Sequence, residues 1–183
     1  MVGWRHGSLR HLYPQSLPRT TCQGQTARLR MAIRIGLVAA SRRQRGTICQ
    51  ARDQFDPSPV FRRARDFCER VHPEWFILTG KPALLSPVQV TGPHPVAHAL
   101  APAERACWSA ALAQTLRERR DYSAEPVVFV LYASQLYADA LQRAAPELQF
   151  ELPLSGLSLG QRLRWYDQQL HARSRLLFLR ADT

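Results

Sequence analysis

The chain of 183 residues predicts an α/β fold, a three-layer sandwich around a mostly parallel, Rossmann-like sheet of about four strands. Three observations predict it. Short apolar runs at 33–40, 75–78 and 127–131 have the length and composition of strands buried on both faces. Segments with helical spacing separate them. The first two runs each end in a polar loop, Ser41-Arg42-Arg43 and Thr79-Gly80-Lys81, and the carboxyl edge of an open α/β sheet is where ligands bind.

Residues 1–30 hold five arginines, no acid and no periodicity, so they predict a disordered leader or sequence upstream of a true start at Met31. A single α/β domain is expected over 31–175 and a tail over 176–183. The formal charge of +11 invites a polyanion partner, a nucleotide or a nucleic acid, but the leader inflates it. Without those five arginines the chain carries 20 basic against 14 acidic groups. Lys81 is the only lysine beside 24 arginines. Cys22, Cys49, Cys68 and Cys107 show no CxxC or zinc spacing and read as reduced thiols, which predicts a cytoplasmic protein. The chain has no run of 18 apolar residues, so no membrane segment is expected.

After the first strand, 44–59 reads as a polar connection that folds over the site. Asp56-Pro57-Ser58-Pro59 opens a helix, with Ser58 or Asp56 as N-cap and Val60, Phe61, Ala64, Phe67, Cys68 and Val71 as its buried stripe. His72-Pro73 stops it, because a residue before proline avoids the helical basin. The strand at 75–78 delivers Thr79 and Lys81. Residues 83–102, with four prolines and Gly92, read as a long irregular segment. His94 and His98 lie in it, but no carboxylate or third histidine completes a zinc shell, so no metal site is read. A helix follows over 103–120, with Ala103, Cys107, Ala110, Ala111 and Leu116 among its apolar positions. The strand at 127–131, a helix over 134–145 and a short strand over 150–154 come next. Ser155-Gly156-Leu157-Ser158-Leu159-Gly160-Gln161 then leads into a last helix to about residue 175. Glycines and serines before a helix N-terminus leave backbone donors for an anion, although no Walker or dinucleotide loop is matched.

Ala-Ala-Ser-Arg-Arg after the first strand, Leu-Thr-Gly-Lys-Pro-Ala-Leu-Leu after the second, and Pro-Leu-Ser-Gly-Leu-Ser-Leu-Gly near the end together resemble a family of small bacterial and phage domains of unknown function. That family is itself similar to the core domain of archaeosine synthase. The resemblance covers about 33–170. It aligns Ser41, Arg42 and Lys81 with polar motif positions, Leu84 and Leu85 with the motif leucines, and Gly156 and Gly160 with closing glycines. Ala40 stands where the family has cysteine, Pro82 where it has tyrosine, and Pro93-His94-Pro95 replaces a Pro-Tyr-Asp segment. Alanine offers no nucleophile.

Two functions are expected from these readings. One is an enzyme acting on a nucleotide or nucleic-acid-linked substrate, with Ser41, Arg42, Arg43, Thr79, Lys81, Gly156, Gly160 and Gln161 binding it and His94 carrying the proton. The other is a non-catalytic relative that keeps the anion pocket. No cofactor is indicated by either.

Overall fold

The computed structural model describes residues 32–181, with side chains as far as residue 172. The expected leader, Met31 and Cys22 lie outside the described residues. β1 (Ile33–Ala39) is the centre of the sheet. Its side chains alternate, as a strand's period of two requires: Ile35 and Leu37 enter one core and Val38 the other.

The connection that follows contains a two-residue strand β2 (Cys49–Gln50) and a single helical turn α1 (Ala51–Gln54). It is more than the polar link expected over 44–59. Ala51, Gln54 and Phe55 have no exposed surface. The Gln54 amide donates to the Arg45 carbonyl at 2.5 Å and accepts from the Cys49 thiol at 3.1 Å, so the one buried polar side chain of the turn is satisfied. Burying the Phe55 ring, 5.1 Å from that of Phe61, ties the turn to the next helix.

That helix, α2 (Pro59–Val71), starts at Ser58, whose hydroxyl accepts from the Phe61 amide, and ends at His72, as expected. Phe61, Ala64, Phe67 and Cys68 are buried, with Val60 and Val71 packed beside them. β3 (Glu74–Leu78) then runs parallel to β1. The next segment holds β4 (Leu84–Leu85), antiparallel to β3, and β5 (Val90–Thr91), antiparallel to β2, before a 3-10 turn at Ala97–Ala99.

α3 (Pro102–Asp121) buries Trp108, Ser109, Leu112, Ala113 and Leu116. Of the apolar positions named from the sequence, only Leu116 is buried; Ala103, Cys107, Ala110 and Ala111 are exposed. Alanines occur all round this helix, so the few bulky residues, Trp108 and Leu112, decide which face turns inward. β6 (Val127–Tyr132), α4 (Gln135–Ala144), β7 (Phe150–Glu151) and α5 (Leu159–Ala181) complete the chain. The last helix continues beyond the expected end near residue 175.

The main sheet has the order β4-β3-β1-β6-β7, parallel except for β4. Helices α3 and α4 cover one face through Ile35, Leu37, Phe76, Leu78, Phe129 and Leu131. The other face carries Val38, Trp75, Ile77, Val130 and Tyr132 under α2 and α5. The three-layer α/β sandwich of the sequence is therefore present. Cys49, Cys68 and Cys107 are free thiols. Among the described residues no helix is long and apolar enough to cross a membrane.

One close approach depends on a missing side chain. A methyl group on Gly36, in the middle of β1, would lie 2.8 Å from His72 Cδ2, 3.1 Å from Trp75 Cβ and 3.2 Å from Cys68 Sγ. Glycine lets the His72 ring lie against the sheet. There His72 Nδ1 donates to the Arg34 carbonyl at 2.9 Å, and Nε2 accepts from the Tyr132 hydroxyl at 2.8 Å.

Candidate functional site

The strand order places a crevice at one edge. From β1 the chain leaves through α2 on one face toward β3, and from β6 it leaves through α4 on the opposite face toward β7. The carboxyl ends of two neighbouring parallel strands whose connections diverge in this way are splayed apart, which opens a ligand-sized gap in open α/β sheets. Here Val38 and Tyr132 are register partners at that gap.

A cavity of about 570 Å³ occupies it, within the range of small-molecule sites. The β1 end contributes Ala40, Ser41, Arg42 and Arg43, and the β6 end contributes Tyr132, Ala133 and Ser134. Helix α2 contributes its N-cap Ser58 together with Val60, Phe61 and Ala64; α4 contributes Tyr137; α5 contributes Arg162, Leu163 and Tyr166. His98 reaches in from the 3-10 turn.

The electrostatics have one sign. Arg42, Arg43 and Arg162 line the cavity, and no carboxylate does among the described residues. Arg42 and Arg43 are exposed and form no ion pair among the described residues, whereas the nearby Arg45 is held by Asp56 and Arg63 by Asp167. The Arg162 guanidinium donates to the Leu157 carbonyl at 2.9 Å, which fixes its position. Two helices begin here, α2 at Ser58 and α4 at Ser134, so two positive dipole ends face the same space. The Ser134 hydroxyl makes no capping bond. Burial lowers the pKa of His98, and the charges of Arg42 and Arg105 lower it further, so the ring is neutral at neutral pH. Its Nδ1 lies 3.5 Å from the Tyr137 hydroxyl. Burial raises the pKa of Tyr137.

Of the residues expected to bind substrate, Ser41, Arg42 and Arg43 line this cavity, and Thr79, Lys81, Gly156, Gly160 and Gln161 do not. Ser41 Oγ accepts from the Arg43 amide at 3.2 Å and so shapes the loop. Thr79 is fully buried; its hydroxyl donates to the Pro82 carbonyl, and its own carbonyl accepts from Trp108 Nε1 at 2.7 Å. It serves the loop after β3, not the cavity. Lys81 is exposed on that loop. Gly156 adopts φ of 72° in the turn before α5, a conformation that favours glycine, and Gln161 Oε1 accepts from the Ser158 amide at 2.8 Å at the start of that helix. These residues build the turn that presents Leu159 and Arg162.

The structure also places His94 outside the cavity. Its Nε2 is hydrogen-bonded to the Thr91 hydroxyl, while its backbone amide donates to Gln44 Oε1 at 2.8 Å and its carbonyl accepts from Gln44 Nε2 at 2.6 Å. These bonds join the β5 loop to the loop after β1. His98 was weighed from the sequence only as a metal ligand, and Ser134, Tyr137, Arg162 and Tyr166 were not assigned to the site. Ser134 alone carried a local signal: Ala133-Ser134 after β6 repeats the Ala40-Ser41 step after β1. Ala40, where the resemblance expects cysteine, is buried in the cavity wall and brings no nucleophile. Among the described residues no group of three or more metal-ligating side chains is assembled.

Comparisons with curated proteins and with solved structures found no match. A family model does match, over residues 35–168, which takes in most of β1, the cavity loops and the first turns of α5. The chain belongs to the family of unknown function DUF6884.

Proposed function

We propose that the domain binds a phosphate-bearing ligand of nucleotide size in the crevice between β1 and β6. The observation that carries this reading is a cavity whose described lining holds three arginines, two helix N-termini and no carboxylate. Arg42 and Arg43 supply uncompensated charge, and their planar forks suit phosphate oxygens. The N-termini of α2 and α4 favour negative charge in the same space. Phe61, Tyr132, Tyr137 and Leu163 form an apolar wall that suits the planar body of a nucleotide. This Rossmann-like use of the sheet edge is the one expected for a nucleotide or nucleic-acid partner.

A second reading, an enzyme acting on that ligand, is favoured by His98. Neutral at neutral pH and beside Tyr137, it has the protonation state of a general base at the cavity wall. In this role it replaces His94.

Thermal shift of the full chain with nucleoside monophosphates, pyrophosphate and ribose 5-phosphate tests the reading. A binder at 100 times its Kd stabilises by about 2.7 kcal/mol. The stabilisation should be lost in Arg42→Ala/Arg43→Ala. A ligand that stabilises wild type and the double variant equally would place the site elsewhere. His98→Gln keeps the stabilisation under both readings and separates them by turnover.

A further inference from the structure

Among the described residues that line the cavity, His98 is the only histidine, and it stands half-buried among groups of one sign. Arg42 from the loop after β1 and Arg105 from α3 are its charged neighbours, Tyr137 from α4 is its polar one, and no carboxylate shares the cavity wall. A proton on this imidazole meets like charge with nothing to offset it, so the free ring stays neutral.

The ring is nevertheless equipped for its charged form. Nδ1 lies 3.5 Å from the Tyr137 hydroxyl, and Nε2 bonds to none of the described residues. Burial keeps the proton on Tyr137. A protonated hydroxyl can donate to a neutral ring nitrogen or accept from a charged one, so a turn of one O–H bond serves both states of His98. Negative charge is what the free cavity lacks. A phosphate monoester brings about 1.5 to 2 negative charges at neutral pH, and seated on Arg42 it replaces the repulsion felt at His98 by attraction.

We propose that His98 is a proton-linked anion-binding residue: a phosphomonoester dianion held by Arg42 and Arg43 draws a proton from solvent onto the imidazole, and the imidazolium becomes a further cation of the loaded site. The inference rests on the phosphate-binding reading of the cavity and adds the ester class and the pH response of that site. Because linkage is reciprocal, the proton that the phosphate draws in also strengthens its binding. Affinity therefore rises as pH falls through the interval between the free and the loaded titration points of His98, and His98 adds nothing above that interval. A phosphodiester, with a single charge, gains less. The general-base role of the second reading is confined to pH above the loaded titration point.

The test is an NMR titration of the histidine ring protons of the full chain. It is run free, saturated with the tightest-binding of the four nucleoside 5′-monophosphates, and with the phosphate methyl ester of that nucleotide. His98 should titrate about one pH unit or more higher with the monophosphate bound, and by less with the methyl ester. His94, which lies outside the cavity, should not move. Calorimetry of wild type and His98→Gln, which share the phosphate's own titration, supplies the affinities. The two should bind the monophosphate about equally near pH 8.5, and wild type about three- to tenfold more tightly near pH 6. An unmoved or lowered His98 titration point overturns this inference, and the phosphate reading stands if binding is still lost in Arg42→Ala/Arg43→Ala. A rise shared by His94, or a methyl ester as effective as the monophosphate, also overturns it. If no monophosphate binds wild type, the phosphate reading fails and this inference with it.

Discussion

Replacing Gly36 by alanine probes how tightly the centre of the sheet is built. The new methyl group would stand 2.8 Å from His72 Cδ2, against a comfortable carbon–carbon separation of about 3.5–4.0 Å. It would also crowd Trp75 Cβ at 3.1 Å and Cys68 Sγ at 3.2 Å. The backbone of β1 cannot retreat, because it is paired to β3 on one side and β6 on the other. The His72 ring must therefore move by about 0.7–1.2 Å, which strains its bonds to the Arg34 carbonyl and the Tyr132 hydroxyl. Overpacking costs about 1–3 kcal/mol and a weakened buried hydrogen bond about 1 kcal/mol, while exchanging glycine for alanine in a strand returns about 0.5–1 kcal/mol. The net loss should be about 2 kcal/mol, or roughly 4–8 °C in melting temperature for a domain of this size. Urea unfolding followed by tryptophan fluorescence reads it as a lower midpoint with an unchanged slope. A change below about 0.5 kcal/mol, or a gain, would refute the packing argument.

Other consequences are equally open to measurement. His98 should titrate below its ordinary value of 6.5, so the unfolded chain takes up the proton first as pH falls. Its contribution to stability is then complete above about pH 6.5 and declines as pH drops through that value toward the folded pKa. Arg42→Ala removes one of the charges responsible and should move the His98 pKa upward in an NMR titration; a downward move would contradict the assigned cause. Arg65 bonds Asp56 at 2.5 Å and Asp66 at 3.0 Å and lies 3.5 Å from Asp53, tying α2 to the turn after β2. Arg65→Ala should cost about 1–3 kcal/mol in urea unfolding and raise protease cleavage within 44–58, whereas an unaffected midpoint would show that these pairs are dispensable.

The strands were readable because parallel strands buried on both faces are apolar throughout, and 75–78 and 127–131 are unbroken apolar runs. Helix α2 was readable from Ser58 at its start and His72-Pro73 at its end. The buried face of α3 was not, since alanine contributes almost no pattern and the outcome rests on Trp108 and Leu112. Half of the crevice was visible in Ser41, Arg42 and Arg43, which follow from the rule that strands present ligand-binding loops at their carboxyl ends. The other half was assigned to Thr79 and Lys81 because β3 is the next strand in sequence and does pair with β1. Yet β1 has two neighbours, and the crevice opens on the β6 side. Strand order is a tertiary outcome that local pattern does not encode, and Tyr166 reaches the cavity from a helix 125 positions after Ser41.

The central claim is that the β1/β6 crevice, not the loop after β3, holds an anion. Amide NMR of the ¹⁵N-labelled chain titrated with pyrophosphate, and with the best-binding nucleoside monophosphate, tests it most directly. The account predicts saturable shifts concentrated at 40–43, at 58–62 where α2 begins and at 133–136 where α4 begins, with little change at 79–82. Shifts centred on Thr79 to Pro82, or none that saturate, would contradict it.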